Sequence, residues 1–201
     1  MATAADWFPR LPPELSPRIH DGAVPWIFAY GTLMGDNALR YYETTGTPTL
    51  LRGFHRAFNH ASTHRWGTPE RPCPVLGLSP GGECWGVAYD VPGSDRRSVL
   101  RGINAREGRD EYRAKRVLVA LRGNGDAKAT AWVTKPRVLA AARWPTDPSV
   151  LERAFREAHG VVGSGVEYVR TVVHAMDRWH VGDPLIEALW ERLEPYSNPR
   201  G

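Results

Sequence analysis

Apolar runs of strand length fill the chain up to about residue 133, and helix-start signals crowd into its last third, an order that argues against regular alternation of strand and helix. Trp26, Phe28 and Tyr30 alternate with Ile27 and Ala29 up to Gly31, the period of two that marks a first core strand. Further runs at Leu50 to Phe58, Val75 to Leu78, Cys84 to Val91, Arg113 to Leu121 and Ala127 to Val133 bring the expected strands to six. Turn signals at Ser79-Pro80-Gly81-Gly82 and Arg122-Gly123-Asn124-Gly125 place hairpins between neighbouring runs. The prediction is an α+β fold: a mixed, mainly antiparallel sheet curled toward a barrel, with helices packed around it.

Helices are expected where a cap precedes a period near 3.6. Asp147-Pro148 opens one whose apolar face is Val150, Leu151, Ala154, Phe155 and Ala158. Ser164 and Glu167 have capping-box spacing ahead of Val166, Val169, Val173 and Met176, and Asp183-Pro184 opens a third bearing Leu185, Ile186, Leu189 and Leu193. A shorter helix between the central strands takes Ser94 as cap and turns Val99, Leu100 and Ile103 inward. Residues 1–24, with Pro9, Pro12, Pro13 and Pro17 and no apolar period, read as a proline-rich N-terminal arm, and residues 25–196 as a single domain.

The net charge of +4 raises the question of a nucleic-acid partner. Only Lys115, Lys128 and Lys135 are lysines among the 26 basic residues, and the arginines are spread along the whole chain rather than in a block, so no nucleic acid is expected. No run approaches the roughly 20 apolar residues that span a bilayer, so no membrane partner is expected and a cytoplasmic location is the default. The two cysteines, Cys73 and Cys84, flank the hairpin expected at Gly81-Gly82; Cys84 then faces Leu78 or Ser79, leaving two free, reduced thiols.

Two places suit chemistry. Tyr30-Gly31-Thr32-Leu33 ends the first strand with a glycine and a hydroxyl, and successive N–H groups at such a turn can receive a carboxylate, with a helix signalled by Asp36-Asn37 close behind; an ordinary tight turn reads the same way. In Ile103-Asn104-Ala105-Arg106-Glu107-Gly108 a glutamate falls between a helix end and the next strand, and Asp110 and Glu111 compete with it for any acidic role. His60 and His64 have metal spacing only on a helix, whereas Pro69 and Pro72 argue for a loop, so no metal is expected. Gly160, Gly163 and Gly165 follow no strand and read as the break between two helices, and Ser62 and Ser164 lack a nucleophile's context.

Four stretches in order resemble the ChaC-type γ-glutamylcyclotransferases of the γ-glutamylcyclotransferase-like superfamily. They are WIFAYGTLM (Trp26 to Met34), LRGFHRAFNHASTHRWGTPERP (Leu51 to Pro72), VLGLSPGGECWGVAYDV (Val75 to Val91) and NAREGRDEYRAKRV (Asn104 to Val117), joined by SGVEYV at Ser164 to Val169. The chain departs from the family pattern at Gly35-Asp36, at an inserted Trp66 and in the spacing from Glu107 to Tyr112, which is one residue longer than is common.

The resemblance implies that a γ-glutamyl compound closes on itself, its α-amine attacking its own γ-carbonyl to form 5-oxoproline and expel an amine. Glutathione is the substrate it best supports, giving cysteinylglycine. Glu107 is then the general base, Tyr30, Gly31, Thr32, Leu33 and Met34 hold the substrate, Tyr112 orients the substrate or Glu107, and Arg56 and Ser62 shape the pocket or the fold. No cofactor is implied; the expected partner is a small γ-glutamyl molecule, and the oligomeric state is open. The rivals are a cyclotransferase for other γ-glutamyl amino acids or amines, and a non-catalytic binder of amino-acid-like ligands, which needs the turn but not Glu107.

Overall fold

Strand β1 (Trp26–Ala29) is buried from Ile27 to Ala29 although successive side chains point to opposite faces, the signature of a strand covered on both sides. In a computed structural model, which describes residues 26–35, 39, 44–107, 111–121, 125–141 and 144–197, four further strands surround it. They are β2 (Thr45–Ser62), β3 (Cys73–Asp90), β4 (Tyr112–Leu121) and β5 (Gly125–Thr134). The order β1-β3-β2-β4-β5 closes into a barrel: β1 pairs antiparallel with β3 and parallel with β5, and every other pairing is antiparallel. The expected α+β class, with a mixed and mainly antiparallel sheet curled into a barrel, is the fold observed. The arm, the helix signal at Asp36-Asn37 and the turn residues 122–124 lie outside the described residues.

The number of strands differs from the expectation. Val75–Leu78 and Cys84–Val91 were expected to face each other across a hairpin, yet each pairs with β2 instead, Leu78 opposite Arg56 and Cys84 opposite Leu51. They are two halves of β3. The glycine signal makes a bulge, because Gly81 (φ 91°) and Gly82 (φ 69°) sit opposite Gly53 (φ 82°), where the register jumps from Arg52–Glu83 to Phe54–Pro80. Left-handed glycines bend both 18-residue strands together, and a partner that runs past the bend keeps the chain from reversing.

Cys84 therefore faces Leu51, and Cys73 faces Ser62 at the far end of the ladder. Both thiols are free and buried; burial raises the Cys73 thiol and pushes Cys84 up to about 11. A thiol reagent at pH 8 is expected to leave both nearly unlabelled in the native protein and to label both once it is unfolded in urea. Fast native labelling of either would show that the strand around it opens.

Helix α1 (Arg96–Glu107) joins β3 to β4 and buries Val99, Leu100 and Ile103 as expected. Asp95 and Arg96 N–H close a turn on the Pro92 carbonyl before Val99 N–H bonds the Asp95 carbonyl, so the helix begins one residue later than a cap at Ser94 would start it. A short helix that the sequence did not announce, α2 (Pro136–Ala141), follows β5. Helices α3 (Pro148–Glu157), α4 (Gly165–Trp179) and α5 (Pro184–Leu193) start where the caps put them. Asp147 accepts from Ser149 N–H, Ser164 and Glu167 form a complete capping box, and Asp183 accepts from Leu185 and Ile186 N–H. Val150 leaves its expected apolar face: it is 54% exposed, while Leu151, Phe155 and Ala158 carry the stripe at spacings of four and three. Among the described residues no helix is long and apolar enough to cross a membrane.

Candidate functional site

The end of β1 is fixed from several directions. The Tyr30 carbonyl accepts a hydrogen bond from Arg56 Nε at 2.7 Å, and its hydroxyl donates to the Trp132 carbonyl at 2.6 Å. Residues Thr32–Gly35 then form a single 3-10 turn, with Met34 N–H on the Gly31 carbonyl at 2.9 Å. The far end of the turn is held at the Met34 carbonyl, which accepts from the Tyr89 hydroxyl and from Trp179 Nε1 on α4. Such a turn uses its later N–H groups internally and leaves those of Thr32 and Leu33 without a partner in the turn.

Tyr30, Gly31, Thr32 and Leu33 line a cavity, whereas the Met34 side chain is buried in the core and is absent from the lining. Gly31 has no left-handed φ, and a Cβ built on it would meet only Leu76, at 3.9 Å. Nothing in the protein requires glycine there.

Glu107 ends α1 and faces the same cavity, its side chain 24% exposed. Arg106 connects it to the turn: its Nε lies 2.9 Å from Glu107 Oε1, and its Nη2 donates to Thr32 Oγ1 at 3.2 Å. Tyr112, the first residue of β4, lines the cavity and donates to the Leu76 carbonyl at 2.7 Å, while Leu76 N–H donates to Tyr168 of α4 at 2.8 Å. Burial raises the phenols of Tyr30, Tyr112 and Tyr168, with the Glu107 charge adding to each, so the three remain neutral.

The opposite wall comes from β2 and the segment after it. His60 lies within β2 rather than in the loop expected from the prolines, and His64 follows in that loop. Among the described residues no cluster of three His, Cys, Asp or Glu side chains is placed to hold a metal. Val161 and Val162 donate to the His64 and Arg65 carbonyls, and a Cβ on Gly160 would come within 2.4 Å of the Arg65 carbonyl oxygen, so a glycine there allows these two loops to touch. The contact carries Trp66 into the cavity wall, edge-on to Tyr168 at 5.4 Å.

All the expected site residues except the Met34 side chain meet in this one cavity, and Ser62 joins them with its Oγ accepting from Trp66 N–H. Arg56 is absent from the lining and acts as a buried anchor: besides the Tyr30 carbonyl it binds the Trp85 carbonyl and Asp183 Oδ2, each at 2.6 Å. Gly35 packs on α4, where its Cβ would lie 3.2 Å from that of Ala175, and Asp36 is outside the described residues. Reading the sequence missed Arg106, Tyr168 and the place of His60. Arg106 had a signal in its direct pairing with Glu107, and Tyr168 in the SGVEYV stretch, but neither had a stated role.

The ChaC-like protein family model matches residues 25–195. Glutathione-specific gamma-glutamylcyclotransferase of Escherichia coli (strain K12) is 46% identical over 79 residues, which is 39% of this chain and 32% of that protein. Gamma-glutamylcyclotransferase 2-3 of Arabidopsis thaliana is 33% identical over 85 residues, 41% of this chain and 42% of that protein, so the matched stretch spans less than half of either relative. Glutathione-specific gamma-glutamylcyclotransferase 1 of Mus musculus is 29% identical over 178 residues, covering 79% of this chain and 76% of that one. The crystal structure of a yeast gamma-glutamyl cyclotransferase specific to glutathione shares the fold, with TM-score 0.71 and 21% identity over 85% of this chain and 96% of that one.

Proposed function

Because the chain belongs to the ChaC-like protein family, we propose that it is a γ-glutamylcyclotransferase that converts glutathione to 5-oxoproline and cysteinylglycine. The observation that carries this reading is the linkage of Thr32, Arg106 and Glu107 at one end of a single cavity, which sets a carboxylate beside a turn whose first N–H groups are unused by the turn. The α-carboxylate of the γ-glutamyl group binds the turn at Gly31 to Leu33, with Tyr30 and Tyr112 against its chain and Met34 fixing the turn from the core. Glu107 takes a proton from the α-ammonium, which is not nucleophilic until it does, and the freed amine attacks the γ-carbonyl. Attack within one molecule is limited by the freedom of the glutamyl chain, so a rigid cavity that holds it folded removes much of the barrier. The reaction needs no cofactor. A cytoplasmic location fits the substrate and the free thiols.

Incubation of the protein with glutathione, followed by detection of 5-oxoproline and cysteinylglycine, tests the reading; no 5-oxoproline refutes it. A panel containing γ-glutamyl amino acids and γ-glutamylamines ranks the leaving groups.

Gly31→Ala separates stability from activity. At an unstrained φ the methyl group restricts the unfolded chain and is expected to raise stability by about 0.4–1 kcal/mol, while its position at the cavity wall weakens substrate binding and raises KM. A variant that is more stable and equally active would mean that substrate does not approach this turn.

A further inference from the structure

Ring closure has a second requirement besides a base. The amine expelled from an amide leaves as a neutral molecule only if its nitrogen gains a proton as the Cδ–N bond breaks, so the cavity needs a donor. Most of its groups are unsuited. The Tyr30 and Tyr112 hydroxyls donate to backbone carbonyls, burial holds all three phenols protonated, and the guanidinium groups of Arg65 and Arg106 do not give up protons in a protein.

Besides Glu107, which takes its proton before attack, the lining holds one other carboxylate, and it is half of a pair. His60 Nε2 lies 2.5 Å from Glu111 Oε2, the imidazole 6% exposed and the carboxylate side chain 43% exposed, and both residues line the cavity. Several elements fix them. The His60 ring meets Tyr112 edge-on at 5.3 Å and its carbonyl accepts from Trp144 Nε1, while the Glu111 carbonyl accepts from Lys135 N–H next to β5. Of the two side chains Glu111 is the more open, so the pair meets a bound molecule chiefly through its carboxylate.

We propose that Glu111 delivers the proton to the departing amine and that His60 is the positioning residue that holds and recharges it; the proposal rests on the cyclotransferase reading of this cavity. The protons balance. Over the reaction the α-ammonium loses two and the departing nitrogen gains two. Glu107 takes the first before attack, and the new bond from the α-nitrogen to the γ-carbonyl carbon, Cδ, closes the ring. The Cδ–N bond to the leaving group then breaks with its electron pair on the departing nitrogen, which receives the proton of the pair. The ring nitrogen's second proton recharges the pair, and the proton on Glu107 leaves with the amine as its ammonium.

The test compares two substrates, glutathione and γ-glutamyl-p-nitroanilide, whose weakly basic arylamine depends far less on protonation. Glu111→Gln is expected to lower kcat for glutathione by about 10²-fold or more, and for the anilide by less than about tenfold. His60→Gln is expected to do the same, and the double variant to fall no further than either single one. Should His60→Gln fail to fold, Glu111→Gln decides alone, because its side chain is half exposed. Equal losses on both substrates, or an undiminished kcat for glutathione in Glu111→Gln, would overturn the proposal while leaving the cyclotransferase reading intact. A wild-type protein that makes no 5-oxoproline from either substrate overturns both.

Discussion

Glu107→Gln is expected to lower 5-oxoproline formation from glutathione by about 10²–10⁴-fold, the usual contribution of a positioned general base, with little change in thermal stability. The amide has nearly the volume of the carboxylate, and the group it replaces sits at a helix end with its side chain 24% exposed, so the core is not disturbed. Arg106 retains its bond to Thr32 and so keeps the turn in place. The loss therefore falls on kcat more than on KM. It also falls on every γ-glutamyl substrate alike, since each α-ammonium must lose its proton before attack, whatever the leaving group. That uniformity separates Glu107 from Glu111, whose replacement is expected to discriminate between leaving groups. If Glu107→Gln turned over glutathione at the wild-type rate, another group would be the base.

The largest expected loss of stability lies at the opposite end of the Arg56 guanidinium. The Arg56 side chain is 1% exposed and its Nη1 lies 2.6 Å from Asp183 Oδ2, an ion pair whose cation is sealed from water. Asp183→Ala leaves that charge buried without its partner, which costs about 3–5 kcal/mol. The same carboxylate caps α5 through Leu185 and Ile186 N–H, and losing a cap adds about 1 kcal/mol. Urea unfolding should show the midpoint fall at an unchanged m-value. The exposed pair Arg153–Glu157 is the control, and Arg153→Ala should leave the midpoint unmoved. A loss below about 1 kcal/mol for Asp183→Ala, the range of surface pairs, would mean that water reaches Arg56. Because Arg56 also holds the Tyr30 carbonyl, the variant links stability to the geometry of the turn.

Much of the architecture is written in short stretches. Asp147, Ser164 and Asp183 each bind N–H groups two or three residues ahead, so their helices start where the caps stand. The alternation from Trp26 to Ala29 marks a strand whatever pairs with it. The Tyr30 to Leu33 turn and Glu107 carry their chemistry in residue type and are recognisable by resemblance. The glycines at 81 and 82 are the contrary case: a left-handed φ serves a turn and a bulge equally, and only the presence of β2 on both sides of them makes β3 one strand.

The sequence by itself determined the starts of α3, α4 and α5, the strand-forming runs, the α+β class and the family. Each rests on hydrogen bonds and periodicities that close within a few residues or on motifs read in order. Tertiary structure alone decided how the barrel closes and which groups share the cavity. Thr32 and Arg106 are 74 residues apart, Tyr30 and Trp132 are 102 apart, and His60 reaches Glu111 only because β2 and β4 are neighbours in the barrel. No local rule could tell the surroundings of Glu107 from those of Glu111. The closed sheet separates them, linking Glu107 to the turn through Arg106 and giving Glu111 to a histidine.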